Sequence, residues 1–341
     1  MNHLTEKIES LKEMLSAAHK VVVVSHTNPD GDAIGSSLAW SHVLEHSFGL
    51  EVSCIIPNRY PGFLSWQPHI SEVLIYKDSP EEATRVVSEA DIIFCLDFNS
   101  LSRAGDVGLL LAAAKGKKVL VDHHPAPAPE FDVVISHTLA CATSELVFRL
   151  IKALSGVAAL TLEMAQCIYT GMMTDTGAFA YASARRDIFL IIADLLGTGI
   201  DKDLIYRKVF YNHSLSRMRL MGYVLYDKLK YFSKYNAALI TLSHQELMRF
   251  YAQKGDTEGL VNQALQMKGG RFSCFFREEI PGKINVSLRS VDDFPCNAVA
   301  TEFFNGGGHK NASGGEFYGT MEEAINLFKQ ALVKYQDLLL A

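Results

Sequence analysis

The sequence predicts an α/β protein: a mostly parallel sheet with helices on both faces, followed by a second, smaller α/β domain. Short apolar, β-branched runs alternate with helical patterns across short crossovers, the pattern of parallel strands covered by helices. Three of those runs end at or beside clusters of Asp or His, and parallel strands bring such ends to one edge of a sheet. At 341 residues the chain is too long for one ordinary core, so two domains are expected.

Taken in order, Leu4, Ile8, Leu11, Leu15 and Ala18 step by four and three, one stripe of an amphipathic helix. Four valines, Val21 to Val24, read as a buried strand. A helix follows from near Ile34 to about His46. Glu51–Ile56 is a second strand and Asp91–Leu96 a third. A helix near Val107–Ala114 leads into a fourth strand, Lys118–Val121, with a short fifth at Val133–Ile135. One helix begins at Thr143, whose hydroxyl suits a cap; another spans about Leu162–Met173.

Residues 185–230 are helical with no strand. They read as connecting helices between a first domain, 1–184, and a second, 231–341. In the second, Ala237–Leu242 is a strand, and helical patterns follow at 244–251 and at 256–266, the latter capped by Asp256. Arg271–Phe276 and Lys283–Leu288 pair across a Pro281–Gly282 turn. A helix near Cys296–Phe304 precedes Gly306-Gly307-Gly308-His309 and a short strand near Glu316–Tyr318. Thr320 with Glu323 forms a capping box for the last helix.

Hydrophobic residues make up 48% of the chain, enough for two cores. A net charge of −6 argues against a broad surface for long nucleic acid, so no long duplex is expected as a partner. A small anion held by local cations and metals remains compatible. The six cysteines form no C-x-x-C pair and sit mostly in apolar runs, as expected of reduced core residues in a cytoplasmic protein. No run of eighteen apolar residues occurs, so no membrane span is expected.

The chemistry gathers at His26-Thr27-Asn28-Pro29-Asp30-Gly31-Asp32, directly after the first strand. Pro29 stiffens this turn and Gly31 lets it bend, so one imidazole and two carboxylates can converge as metal ligands. An ordinary turn with Asp30 or Asp32 as helix cap fits the same residues. Asp97, then Asp122-His123-His124, follow two further strands, and Asp175 ends the Leu162 helix. Five buried carboxylates without compensation would be very costly. Two divalent cations about 3.5–4 Å apart would resolve that cost. Mixed imidazole and carboxylate ligands favour Mn²⁺, with Mg²⁺ or another divalent ion as alternatives. The gathering requires Asp97 to lie within about 5 Å of His26 or His123.

These motifs, His26-x-x-x-Asp30-x-Asp32, Asp97 with Arg103, Asp122-His123-His124 and Asp175-Thr176-Gly177, resemble those of the DHH phosphoesterase superfamily. Gly306-Gly307-Gly308-His309-x-x-Ala312-Ser313-Gly314 resembles the signature of its DHHA1 C-terminal domain. The resemblance spans most of the chain in the same order. It implies one metal on His26, Asp30 and Asp97, and a second on Asp32, Asp97, His123 and Asp175, with Asp97 bridging. It implies that Asp122 orients an imidazole and that His124 faces the substrate phosphate. Arg103 is expected near the metals in a phosphate or structural role. Arg289, Gly307, Gly308, His309 and Ser313 are expected to bind substrate, with Lys268, Arg271 and Lys310 adding positive charge nearby.

Within the superfamily, the chain is similar to the compact nano-RNase/pAp phosphatase group rather than to exonucleases with extra domains, pyrophosphatases without the glycine run, or membrane-bound enzymes. The resemblance implies a Mn²⁺-dependent oligoribonuclease on very short RNAs, a 3′-phosphatase on 3′-phosphoadenosine 5′-phosphate (pAp), or both. A dinucleotide phosphodiesterase is the next reading, and a non-catalytic nucleotide-binding module is the reading of another class. The implied substrate lies between the two domains, and a homodimer is compatible. His42 and His46, at i, i+4 without an evident third ligand, read as a helix-face pair. His69, His137, His213 and His244 have no readable partners, and Trp40 and Trp66 read as packing.

Overall fold

The computed structural model describes residues 2–253 and 255–341, and for residues 2–6 the helical backbone alone. Leu4 therefore lies outside the described side chains. The chain forms two compact units, Met1–Asn212 and His213–Ala341.

In the first unit the strands are β1 (Lys20–Val24), β2 (Glu51–Ile56), β3 (Leu74–Ile75), β4 (Ile92–Leu96), β5 (Lys117–Asp122) and β6 (Val133–Ser136). Their order in the sheet is β3-β2-β1-β4-β5-β6, every neighbouring pair parallel. The chain runs outward from β1 through β2 to β3, then returns to place β4 on the other side of β1. Such a reversal opens a crevice at the carboxyl ends of the two central strands. Register aligns those ends: Val24 pairs with Cys95, and Cys95 with Leu120. The residues that follow, His26, Asp97 and Asp122 to His124, therefore emerge along one edge.

The helices are α1 (Asn2–Ala17), α2 (Gly31–Phe48), α3 (Pro80–Glu89), α4 (Asp106–Ala113), α5 (Thr143–Leu154), α6 (Leu162–Asp175), α7 (Arg186–Gly197) and α8 (Lys202–Phe210). Strand residues alternate between two cores. Val21, Val23, Ile92, Phe94 and Leu96 join Trp40, Phe148 and Leu11 on one face. Val22, Val24, Ile93 and Cys95 join Phe98, Val107 and Leu111 on the other. Each large side chain buried this way stabilises by about 1.5–3 kcal/mol. Trp40 is fully buried and meets Phe94 edge-on; Trp66 packs under Lys208.

The stretch expected as connecting helices is divided. Ile188, Ile191, Leu195, Ile205 and Val209 of α7 and α8 belong to the first core. Leu220 and Val224, from α9 (Leu215–Tyr223) and the turn after it, belong to the second unit.

The second unit holds β7 (Lys230–Phe232), β8 (Ala237–Leu242), β9 (Phe272–Ile280), β10 (Lys283–Ser290), β11 (Gly307–His309) and β12 (Ala312–Tyr318), in the order β11-β12-β10-β9-β8-β7. Its further helices are α10 (His244–Arg249), α11 (Leu260–Gln263), α12 (Cys296–Phe303), α13 (Met321–Lys334) and α14 (Gln336–Leu340). α12 and α13 cover one face of this sheet through Val299, Ala300 and Phe328. The Thr320–Glu323 capping box forms as expected.

One expectation fails here. Asp256 caps no helix: it accepts the Gln253 N–H at 2.8 Å, and α11 starts later, after Gly259 at φ 78°. Gly307–His309, which carries no strand signal in the sequence, is an edge strand. All six cysteines are free and buried.

The helix-face reading of His42 and His46 gains a neighbour. Their rings stack at 3.9 Å, and the His69 ring lies 4.8 Å from His42. Burial, followed by His46 and His69, pushes the His42 pKa down to about 4 against smaller upward pulls from Glu163 and Glu72. Between that value and 6.5 the unfolded chain binds more protons than the native one at this residue. Stability therefore falls as pH drops from 6.5 toward 4 and is fully present above 6.5. Denaturant midpoints at pH 5 and pH 7 are expected to differ less in His42→Gln than in the unaltered chain. Equal differences would refute this.

Candidate metal centre

His26 lies one residue beyond Ser25 at the end of β1. Its Nδ1–H donates to the Thr27 carbonyl at 2.8 Å, which turns Nε2 toward Asp97 Oδ2, 3.4 Å away. Thr27 itself is held by the Arg103 carbonyl, through its N–H at 2.8 Å and its hydroxyl at 3.0 Å. The bend in this turn falls on Asn28, at φ 54°, not on Gly31. Gly31 is needed for space: a Cβ there would lie 2.3 Å from Thr174 Oγ1 on α6.

The two readings of Asp30 coexist. Its Oδ1 caps α2, accepting the N–H groups of Asp32 and Ala33 at 3.0 and 3.1 Å. The same carboxylate forms a group with His26 and Asp97 whose ligand atoms lie within 4.8 Å of one another. Asp97 follows β4 with its N–H still bonded to Val121 O, and it turns into the left-handed region at φ 66°. A non-glycine residue held there costs about 1–2 kcal/mol.

Asp97 Oδ1 faces the β5 end, 3.6 Å from His123 Nε2. His123 Nε2 also lies 3.4 Å from Asp175 Oδ2, while its Nδ1 faces the Ala140 carbonyl at 3.3 Å. Asp32, His123 and Asp175 form a second group of converging ligand atoms. A third contains Asp97, His123 and His124. In it the nitrogen of His124 that comes near Asp97, Nδ1 at 3.8 Å, is the one that donates to Asp122 Oδ1 at 2.7 Å. Asp122 is fully buried and thus fixes that ring's orientation and tautomer.

One expectation about α5 is corrected. The Thr143 hydroxyl does not cap its helix; it donates to Asp97 Oδ1 at 2.9 Å. The amide donors at the start of α5 are taken instead by Asp32, from Thr143 N at 2.6 Å and Ser144 N at 2.9 Å. Helix starts carry unpaired N–H groups that a carboxylate satisfies well.

The charges disclose what the cluster takes. Burial first, then Asp97 and Asp175, drives the Asp32 carboxyl well above its usual range. Burial, with Asp97 and Asp30, raises Asp175 to about 7 against His123. Burial alone would lower His26 and His123, yet the surrounding carboxylates, Asp97 foremost, raise each to about 9. Burial would raise Asp97, but His26, His123 and His124 hold it below the usual range. Carboxylates and imidazoles that both cling to protons report an excess of negative charge. Divalent cations suited to this mixed oxygen and nitrogen donor set would cancel it.

The structure thus gathers His26, Asp30, Asp32, Asp97, His123, His124 and Asp175, with Asp122 behind. Arg103 has an exposed side chain, and the contact it makes with this region runs through its backbone.

In the second unit, Arg289 pairs with Ala312 and Ala312 with His309, so Arg289 and His309 project from one face of the sheet, roughly 10 Å apart across two strand spacings. Arg289 is half-buried, and burial lowers its pKa. Gly306 and Gly308 are explained by hairpin packing, since a Cβ would meet Gly314 O at 1.9 Å or Ala312 O at 2.7 Å. Gly307 borders open space. Ser313 departs from expectation: it is buried and its hydroxyl donates to Cys296 Sγ, so its side chain faces the core. Lys310 pairs with Asp293, which offsets its charge.

Residues 20–172 match the DHH family N-terminal domain, and residues 236–335 the DHHA1 domain. The bifunctional oligoribonuclease and PAP phosphatase NrnA of Thermus thermophilus is 30% identical over 92% of this chain and 89% of that protein. The protein of the same description from Bacillus subtilis is 25% identical over 89% and 91%. The crystal structure of an exopolyphosphatase-related protein from Bacteroides fragilis superposes with a TM-score of 0.96 at 51% identity, covering 99% of this chain and 98% of that one. RecJ of Thermus thermophilus in complex with Mn²⁺ shares the fold, with a TM-score of 0.53 at 15% identity over 97% of this chain and 54% of that one. The chain therefore belongs to the DHH family, with a DHHA1 domain as its second unit.

Proposed function

We propose that this chain is a two-metal phosphohydrolase of small nucleotides, removing nucleotides from very short RNAs, the 3′-phosphate from pAp, or both. The observation that carries this reading is the pair of ligand groups, His26 with Asp30 and Asp32 with His123 and Asp175, on either side of Asp97. The first group with Asp97 would hold one cation and the second with Asp97 the other. Mn²⁺ suits the mixed donors. Bound there, the cations supply Lewis acidity at the phosphate and a water acidified toward neutral pH.

The remaining residues orient and donate. Asp122 accepts from His124 Nδ1, which leaves Nε2 as the atom that would face the substrate, donating to a phosphoryl oxygen when the ring carries both protons. In the second unit, Arg289 and His309 are read as the hold on a second phosphate of the substrate. NrnA relatives, described as bifunctional oligoribonuclease and PAP phosphatase, support the substrate class. A cyclic-di-AMP phosphodiesterase, GdpP of Geobacillus thermodenitrificans, is 24% identical over 96% of this chain but only 49% of that protein, and dinucleotides are the second reading.

The test compares short RNAs, pAp and dinucleotides side by side, with Mn²⁺ and with Mg²⁺. Mn²⁺-dependent release of mononucleotide or phosphate is expected, falling steeply as the RNA lengthens. Tight binding without any release would replace the enzyme reading with a binding module. In the same assays Arg289→Ala is expected to raise KM by about 10–100-fold with kcat little changed, the worth of one charge-assisted phosphate contact. An unchanged KM would remove Arg289 from the site.

A further inference from the structure

One buried turn carries none of the expected ligands yet touches three of them. Ala140 offers its carbonyl to His123 Nδ1. Thr143 N and Ser144 N reach the two oxygens of Asp32. The Thr143 hydroxyl reaches Asp97 Oδ1. Residues 140–145 are all buried. The turn is itself anchored: Glu145, fully buried, accepts the Cys141 N–H at 2.7 Å and salt-bridges Arg149 at 2.7 Å and Arg185 at 2.6 Å.

We propose that this turn is the positioning device of the metal centre and that Thr143 is its decisive residue. The inference rests on the metal reading above. Asp97 must present Oδ2 toward His26 and Oδ1 toward His123 at once, and its carboxylate can rotate about its last bond. A buried hydroxyl has one proton to give, and Thr143 gives it to Oδ1. Through its own N–H the same residue holds Asp32, which belongs to only one of the two ligand groups. Thr143 therefore sets the bridging carboxylate against a terminal one, without touching a cation or the substrate.

Valine has nearly the volume of threonine and lacks the donor; serine keeps the donor and loses a methyl. Mn²⁺ is titrated calorimetrically into the full-length, chelator-stripped chain, and thermal midpoints are recorded without metal. Thr143→Val is expected to bind Mn²⁺ about 10–100-fold more weakly, the usual cost of losing a group that orients a ligand. Thr143→Ser is expected to bind within a few-fold of the unaltered chain. Should the valine variant fail to fold, Thr143→Ala replaces it with the same expectation.

Mn²⁺ binding unchanged in the valine or alanine variant overturns the proposal. So does a serine variant as weak as the valine one, since packing of the methyl would then be the cause. If the unaltered chain takes up no Mn²⁺, the metal reading fails and this proposal with it. If the unaltered chain binds and the variants bind equally well, the positioning role alone is lost.

Discussion

Asp97→Asn is expected to reduce kcat/KM by at least about 10³-fold. Asparagine keeps the shape of the side chain and removes its charge. Among the described residues, Asp97 is the one carboxylate with an oxygen turned toward each neighbouring imidazole, at 3.4 Å from His26 and 3.6 Å from His123. Its loss would weaken both cation sites together, whereas Asp30→Asn would weaken one. Metal content after equilibrium dialysis against Mn²⁺ separates the cases. The unaltered chain is expected to retain about two ions, the Asp30 variant about one, and the Asp97 variant fewer than either. Activity of Asp97→Asn within tenfold of the unaltered chain would leave the shared-carboxylate reading untenable.

The parts of this centre that were legible in the sequence share one cause. A fully buried parallel strand is a short β-branched run, and a polar residue immediately after it stands at the sheet's edge. Val21–Val24 before His26, and Lys118–Val121 before Asp122, needed nothing more. Topology then did what sequence spacing does not express: the return of β4 to the far side of β1 put Asp97 beside His26.

The misses have a different origin. A threonine at a helix start reads as its cap, but the Asp32 carboxylate from α2 took the amide donors and freed the hydroxyl for Asp97. Asp256 also lost a cap reading to a local turn. Gly307–His309 has poor strand propensity and is a strand because β12 pairs with it. In each of these cases a partner distant in sequence, or a competing local bond, overrode the intrinsic preference. Helix α3 is different, because its signals are present in the sequence: Pro80 with Glu81 and Glu82 in the first turn, and Ala83 and Val87 one turn apart on its buried face. The two-residue β3 is too short to show a period.

Gly171→Ala is the second substitution with a large expected effect, because Gly171 on α6 lies against both Ser144 of α5 and the Asp32 carboxylate of α2. A Cβ on this α6 residue would lie 2.0 Å from Ser144 Oγ, 2.9 Å from Ser144 Cβ and 2.8 Å from Asp32 Oδ1. Alanine favours a helix by about 1 kcal/mol over glycine, but overpacking a filled core costs about 1–3 kcal/mol, so a net loss of stability is expected. The clash also pushes Asp32 away from the amides of Thr143 and Ser144, and Mn²⁺ affinity is expected to fall by about 10–100-fold. The two effects can be separated. Adding Ser144→Gly to Gly171→Ala removes the serine side chain but leaves the contact with Asp32. The double variant should recover most of the lost thermal midpoint and little of the lost Mn²⁺ affinity. Recovery of both together would mean that Gly171 acts through the packing of α5 alone and that its approach to Asp32 is incidental.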